Sequence, residues 1–265
     1  MSRLETERAA AKRRQRAKGG RNLAIILGLL LVAAFVVSVL SGDDGDETVT
    51  SDTTVTTVPG DETGTTAAVA AGPAIGDSEC PPAEGTAERV ETFASGPKAC
   101  IDPAKAYTAT VETSKGTFVV ELDAAAAPKT VNNFVFLARN HYYDGVVFHR
   151  IIPGFVVQGG DPTGSGSGGP GYQFTDELPT GDAPYYEVGS LAMANSGANT
   201  NGSQFFVVTG DQGVNLPASY SRFGKVVDGL DVVQAIEATG GADGTPTEET
   251  TITSVSVEEQ EVIRE

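Results

Sequence analysis

The chain is poor in the residues that carry metal and nucleophile chemistry, with two histidines and two cysteines among 265 residues. A structural zinc site takes four ligands, and no His or third Cys lies near Cys80 and Cys100 to complete one. His141 falls at an expected helix end and His149 within an apolar run, so both read as structural histidines. No GxSxG elbow occurs, which leaves a serine-hydrolase triad without its nucleophile turn. Gly164–Gly169 formally contains GxGxxG, but Pro170-Gly171 follow where a dinucleotide fingerprint needs a helix. No Gly-Lys-Ser/Thr follows either, and the stretch reads as a flexible surface loop. Asn201-Gly202-Ser203 matches a glycosylation sequon, a motif short enough to arise often by chance. Basic residues are scarce as well, 18 Lys/Arg against 35 Asp/Glu, for a net charge of −17.

That charge is divided unevenly. Residues 1–22 carry eight Lys/Arg against two Glu, a net of +6, which leaves −23 on the remainder. An acidic body of this kind repels polyanions, so no nucleic-acid partner is expected. The basic leader reads as a topology signal for the stretch that follows it. Leu23–Leu40 is eighteen residues without a charge. As a helix it would span roughly 27 Å, near the thickness of a bilayer's hydrocarbon core. The run is longer than a signal-peptide core, and no A-x-A site or lipobox cysteine follows, so an uncleaved single-pass anchor is expected. The positive-inside rule places the amino terminus in the cytoplasm and everything after Leu40 outside. Cys80 and Cys100 then lie in an oxidising compartment, where an even count favours a disulfide over two free thiols.

Residues 41–79 contain no aromatic residue and no Leu, Lys or Arg. They cannot bury enough apolar surface to offset ordering entropy and read as a disordered linker, roughly 35 Å end to end as a flexible coil. Residues 80–106 form a cysteine-bracketed lead-in. From Tyr107 the punctuation becomes that of a β-rich domain extending to residue 259. Strands are expected at Tyr107–Thr113, Thr117–Leu122, Val146–Ile151, Phe155–Gln158, Val188–Ala194, Gln204–Thr209, Arg222–Val227 and Thr250–Val257. Helices are expected from Pro128 to about Asn140 and over Leu230–Ala238, each with apolar residues at helical spacing. Eight strands with two helices argue for a mainly β barrel or sandwich, not a parallel α/β sheet.

Two segments gather polar side chains among strand-forming apolar ones. They are FHRIIPGFVVQGGDPTG, residues 148–164, and MANSGANTNGSQFF, residues 193–206. Polar groups in apolar strands need partners, and a ligand cleft can supply them. Arg150 taken alone reads as half of a structural ion pair.

Together with Arg222-Phe223-Gly224-Lys225-Val226, these segments resemble the signature stretches of the cyclophilins, in order and suitably spaced. The resemblance covers about residues 107–259. It implies a closed eight-stranded antiparallel β-barrel capped by two α-helices, binding of proline-containing polypeptides, and cis-trans isomerisation without metal or cofactor. By the same resemblance Arg150 is the catalytic arginine, and Phe155, Val156, Phe206 and Leu216 form the walls of a proline pocket. Gln158 and Gln204 form its polar rim, Ala194 and Asn195 pair with the substrate backbone, and Tyr220 stands where many eukaryotic members have His, as in bacterial members. Asn215 replaces a Trp associated with tight cyclosporin binding, which puts affinity for that drug in doubt. A non-catalytic proline-peptide-binding chaperone or scaffold module of a cell envelope is the alternative, although such a binder has little use for the arginine.

Overall fold

The computed structural model describes residues 73–261. The basic segment 1–22, the expected anchor 23–40 and residues 41–72 of the expected linker lie outside the described residues. Among the described residues no helix is long and apolar enough to cross a membrane.

Eight strands form one antiparallel sheet: β1 (Ala106–Thr113), β2 (Gly116–Leu122), β3 (Arg150–Ile152), β4 (Val156–Gly159), β5 (Ser190–Met193), β6 (Phe205–Val208), β7 (Arg222–Asp228) and β8 (Ile252–Gln260). Their order across the sheet is β3-β4-β6-β5-β7-β2-β1-β8. Register shifts at Glu112/Thr113, Val119/Val120 and Leu191/Ala192 add twist and curl the sheet.

The expected barrel closure does not occur. No ladder joins the edge strands β3 and β8; among the described residues only the isolated bridge Val147↔Thr251 spans the seam. The cause is local. The outer edge of β3 is taken by a loop, with Ile151 N donating to Gly244 O at 2.9 Å. Val146–His149, expected as part of that strand, crosses the seam instead: Phe148 N donates to Thr250 O at 3.0 Å and Ile252 N to Val146 O at 2.8 Å.

Among the described residues three helices accompany the sheet, not two: α1 (Pro128–Arg139), the short α2 (Asp211–Val214) and α3 (Leu230–Glu237). Pro128 opens α1 at a position where a missing N–H costs nothing. Its next two amides, Lys129 N and Thr130 N, donate to the Glu177 carboxylate at 2.9 and 2.8 Å. The apolar stripe of α1 enters the core, where the Phe134 ring meets Phe205 edge-on at 5.8 Å and Phe223 at 5.4 Å. The curled sheet is therefore filled with side chains.

A surface helix normally leaves one face in water, yet every residue of α1 from Thr130 to Arg139 is buried. The lead-in covers the outer face. Residues 73–79, assigned to the linker by composition, are docked there too, with Ile75 N donating to Pro97 O at 2.8 Å. Asn132 satisfies this cover from the helix side. Its Nδ2 donates to Pro73 O and Lys98 O at 3.0 and 2.8 Å, and its Oδ1 accepts from Cys100 N at 2.7 Å. Cys80 and Cys100 form a disulfide, as expected.

Candidate active site

Side chains directly opposite one another on paired strands share a face. The register aligns Arg150 with Gln158, Gln158 with Phe206, and Phe206 with Ala192, a row across β3, β4, β6 and β5. This row lies on the outer face of the curl. Period two sends the intervening residues inward, so Ile151, Val157, Phe205 and Leu191 join the interior while Val156, Phe206 and Val208 form a separate outer cluster. Successive phenylalanines, Phe205 and Phe206, thus serve core and cleft in turn.

The outer row forms the floor of a cleft of about 160 Å³. Its lining is Arg150, Phe155, Val156, Gln158, Ala194, Asn195, Phe206, Leu216 and Tyr220. Drug-sized pockets run ~300–1,000 Å³, so this one suits a small ring. Nine of the ten substrate and catalytic positions expected from the sequence therefore converge. Gln204, the tenth, stands one hydrogen bond behind Gln158 and faces an adjoining groove. Asn215 lies outside the cleft lining; it caps the end of α2, and its Nδ2 donates back to Asp211 O in the first turn.

Arg150 is positioned without an acid. Among the described residues no carboxylate lies within ion-pair distance of its guanidinium. Nη1 donates to Gln158 Oε1 at 3.2 Å, and Cζ sits 5.7 Å from the centre of the Phe155 ring. The structural ion pair that an isolated arginine suggests is therefore absent from this site. Gln158 Nε2 donates to Gln204 Oε1 at 3.1 Å, and Gln204 Nε2 to Gly166 O and Gly168 O, both at 3.0 Å. This relay takes one hydrogen bond from the guanidinium of Arg150, which lines the cleft.

Two supporting residues escaped the sequence reading. Asp161 is fully buried and gathers the 163–168 loop, accepting from Gly166 N at 2.6 Å, Thr163 N at 2.7 Å and Gly168 N at 3.0 Å. Burial pushes its pKa up, but hydrogen bonds from Gly168, Thr163 and Gly166 outweigh that and hold it at about 2. The glycine-rich stretch is thus an ordered carboxylate-centred loop, and carboxylate and loop together fix the far end of the relay. Tyr186 is the second. Its buried hydroxyl donates to Tyr220 O at 2.8 Å and accepts from Tyr220 N at 3.1 Å, pinning the cleft wall. Tyr220 in turn meets Phe206 edge-on at 5.3 Å.

The histidines stand apart from this lining. His141 Nδ1 lies 3.0 Å from Asp144 Oδ2. Both ring nitrogens of His149 are buried without a partner among the described residues, and burial lowers its pKa. The sequon's Asn201 is fully buried, with Nδ2 donating to Asp176 Oδ1 at 2.8 Å, which closes it to modification in the folded domain.

Residues 108–257 match the family model described as cyclophilin type peptidyl-prolyl cis-trans isomerase/CLD. The chain belongs to that family. As a cyclophilin-type enzyme it interconverts the cis and trans forms of X-Pro bonds. It is 44% identical over 155 residues to the peptidyl-prolyl cis-trans isomerase-like 1 of Gibberella zeae, covering 57% of this chain and 94% of the relative. Identity is also 44% over 177 residues to the peptidyl-prolyl cis-trans isomerase A of Mycobacterium tuberculosis, covering 58% and 94%. A cyclophilin type isomerase of Cryptosporidium parvum superposes with TM-score 0.54 at 34% identity, covering 58% of this chain and 98% of that one. A second structure of that protein, with TM-score 0.53, was determined in the presence of the dipeptide Ala-Pro. The lead-in over α1 lies outside the matched residues.

Proposed function

We propose that Arg150 is the catalytic residue, that the cleft grips a proline ring of extended polypeptides, and that the domain works outside the cytoplasm on a membrane anchor. The barrier to X-Pro rotation, about 18–20 kcal/mol, comes from resonance between the amide nitrogen and the carbonyl. In the twisted transition state the nitrogen lone pair is released and accepts a hydrogen bond. A guanidinium N–H donated to it is a bond that the planar ground states cannot make, and only such differential stabilisation accelerates the step. The observation that carries this reading is the acid-free Arg150 on the cleft floor, oriented by a neutral amide and set over the Phe155 ring in a cleft that Phe206 also lines.

Phe155, Val156, Phe206 and Leu216 hold the ring. Ala194 and Asn195 hold the flanking backbone, and Asn195 is itself fixed by its Nδ2 donating to Ser219 O at 2.9 Å. No proton changes hands and no nucleophile is consumed. The two isomers of X-Pro lie within about 1 kcal/mol, so the enzyme changes rate and not preference.

Placement outside the cytoplasm rests on the basic leader, the uncharged run Leu23–Leu40 and the Cys80–Cys100 disulfide, a bond that persists in oxidising compartments. Clients there would be polypeptides whose folding waits on a prolyl bond. Protease added outside intact cells stripped of their wall tests the placement. Loss of the catalytic domain with retention of a short amino-terminal stub is expected, and full protection until the membrane is broken rejects the topology.

A further inference from the structure

Beside the proline cleft runs a second, larger groove of about 640 Å³, and the two share Gln158, Ala194 and Asn195 along their border. A polypeptide held by its proline ring continues over that border, so residues next to the proline enter the groove. The far wall of the groove is Pro170–Gln173, and this wall is held from behind by the lead-in. Phe93 N donates to Pro170 O at 2.8 Å. The chain passes Gly171 so closely that an added Cβ would stand 2.5 Å from Phe93 O, and Gly171 has φ +100°, a conformation suited to glycine. The Phe93 ring packs 4.7 Å from Phe136 of α1 and meets Tyr172 edge-on at 6.4 Å. Tyr172 completes the brace by donating its hydroxyl to Asn133 Oδ1 at 2.6 Å, while Asn133 Nδ2 donates to Gly202 O in the groove at 2.8 Å.

We infer that Phe93, carried on the disulfide-closed segment 80–100, is a positioning residue that fixes the groove wall for the residues flanking the proline of a long substrate. The inference rests on the proposed placing of the proline ring in the adjoining cleft. Phe93 lies outside the residues matched by the isomerase family, so it adds a determinant of substrate choice to a common catalytic floor. Its backbone holds Pro170 while its ring packs on Tyr172, Tyr142 and Phe136 of α1, and the cleft lining does not include it, so removing the ring should loosen the wall at Tyr172, weaken binding of long substrates and spare turnover.

The test compares the full chain with its Phe93→Ala and Phe93→Leu variants on two substrates. One is a capped X-Pro dipeptide that ends at the cleft; the other carries five residues on either side of the proline. For the long peptide, Phe93→Ala should raise KM roughly five- to tenfold with kcat within about twofold of wild type, the pattern of lost uniform binding. The capped dipeptide should be turned over as by wild type, and Phe93→Leu should restore most of the KM. Equal losses on both substrates, or an unchanged KM for the long peptide, would overturn the inference. Arg150→Ala run alongside separates the two claims. Full activity in that variant defeats the catalytic reading, whereas the role of Phe93 is decided by the ratio of KM values alone.

Discussion

Replacing Arg150 with alanine tests its proposed catalytic role apart from folding. The side chain has one protein hydrogen bond, 3.2 Å to Gln158 Oε1, and no carboxylate partner among the described residues. Its removal therefore leaves no orphaned buried charge. The Gln158 amide is partly exposed and can turn to water, so the stability cost should stay under about 1 kcal/mol. For a domain of this size that is a fall in Tm of about 2–4 °C. The lost transition-state hydrogen bond is a different matter. A charged donor in a cleft walled by Phe155 and Phe206 compares with other preorganised donors, worth about 3–4 kcal/mol, or ~10²–10³ in rate. Arg150→Lys keeps the charge but not the planar fork that serves Gln158 and substrate together, so it should recover no more than about a tenth of the rate. Exchange between the cis and trans signals of a proline peptide, followed by NMR, reads the rate without a coupling enzyme. Arg150→Ala within tenfold of wild type, at an unchanged Tm, would refute the reasoning. So would a large loss of stability, which would mean the arginine holds the fold together.

Arginine stays protonated at all accessible pH, so kcat/KM should be flat between about pH 6 and 9. Burial lowers the pKa of His149, which stands outside the cleft lining, and a titration near pH 6.5 would assign catalysis to a histidine. Asp161 supplies the acid limit: its folded pKa of about 2 lies below the ordinary 3.8, so its contribution is complete above about pH 4 and fades as pH falls towards 2. Asp161→Asn turns a buried acceptor of several N–H groups into a group that also donates, which should cost about 1–3 kcal/mol in chemical denaturation and raise KM through the displaced Gln204. Tyr186→Phe removes the hydroxyl that pins Tyr220, and KM for a proline peptide should rise several-fold at a cost of about 1 kcal/mol. Replacing Cys80 and Cys100 together with serine should cost up to about 3 kcal/mol from the lost loop constraint, seen as a lower Tm and earlier proteolysis within residues 80–100.

Seven strands and both long helices were legible because their apolar periods are clean and their turns carry Gly and Pro, and β3 only at the last two residues of the expected run. Gln158 and Phe206 were legible through the resemblance to the cyclophilins, and the strand register sets them on the face shared with Arg150. Closure was not legible. It depends on which segment takes the outer edge of β3, where Ile151 N meets Gly244 O, and an apolar run from Val146 to Ile151 gives no sign that its first four residues leave the ladder. Asp161 was hidden inside a glycine-rich stretch whose composition resembles loose loops, since a buried carboxylate at its head leaves no periodic trace. The lead-in was opaque for a related reason. Its order comes from Asn132, Phe136 and Tyr172 receiving it, residues far away in the chain, and local composition at 73–79 carries none of that.

The alternation of Phe205 and Phe206 along β6 has a thermal consequence. The strand that fills the interior and the strand that floors the cleft are one object, so no hinge separates a melting body from a working surface. Heating should therefore extinguish turnover and near-ultraviolet ellipticity along the same curve, without a plateau in which an intact but idle molecule accumulates.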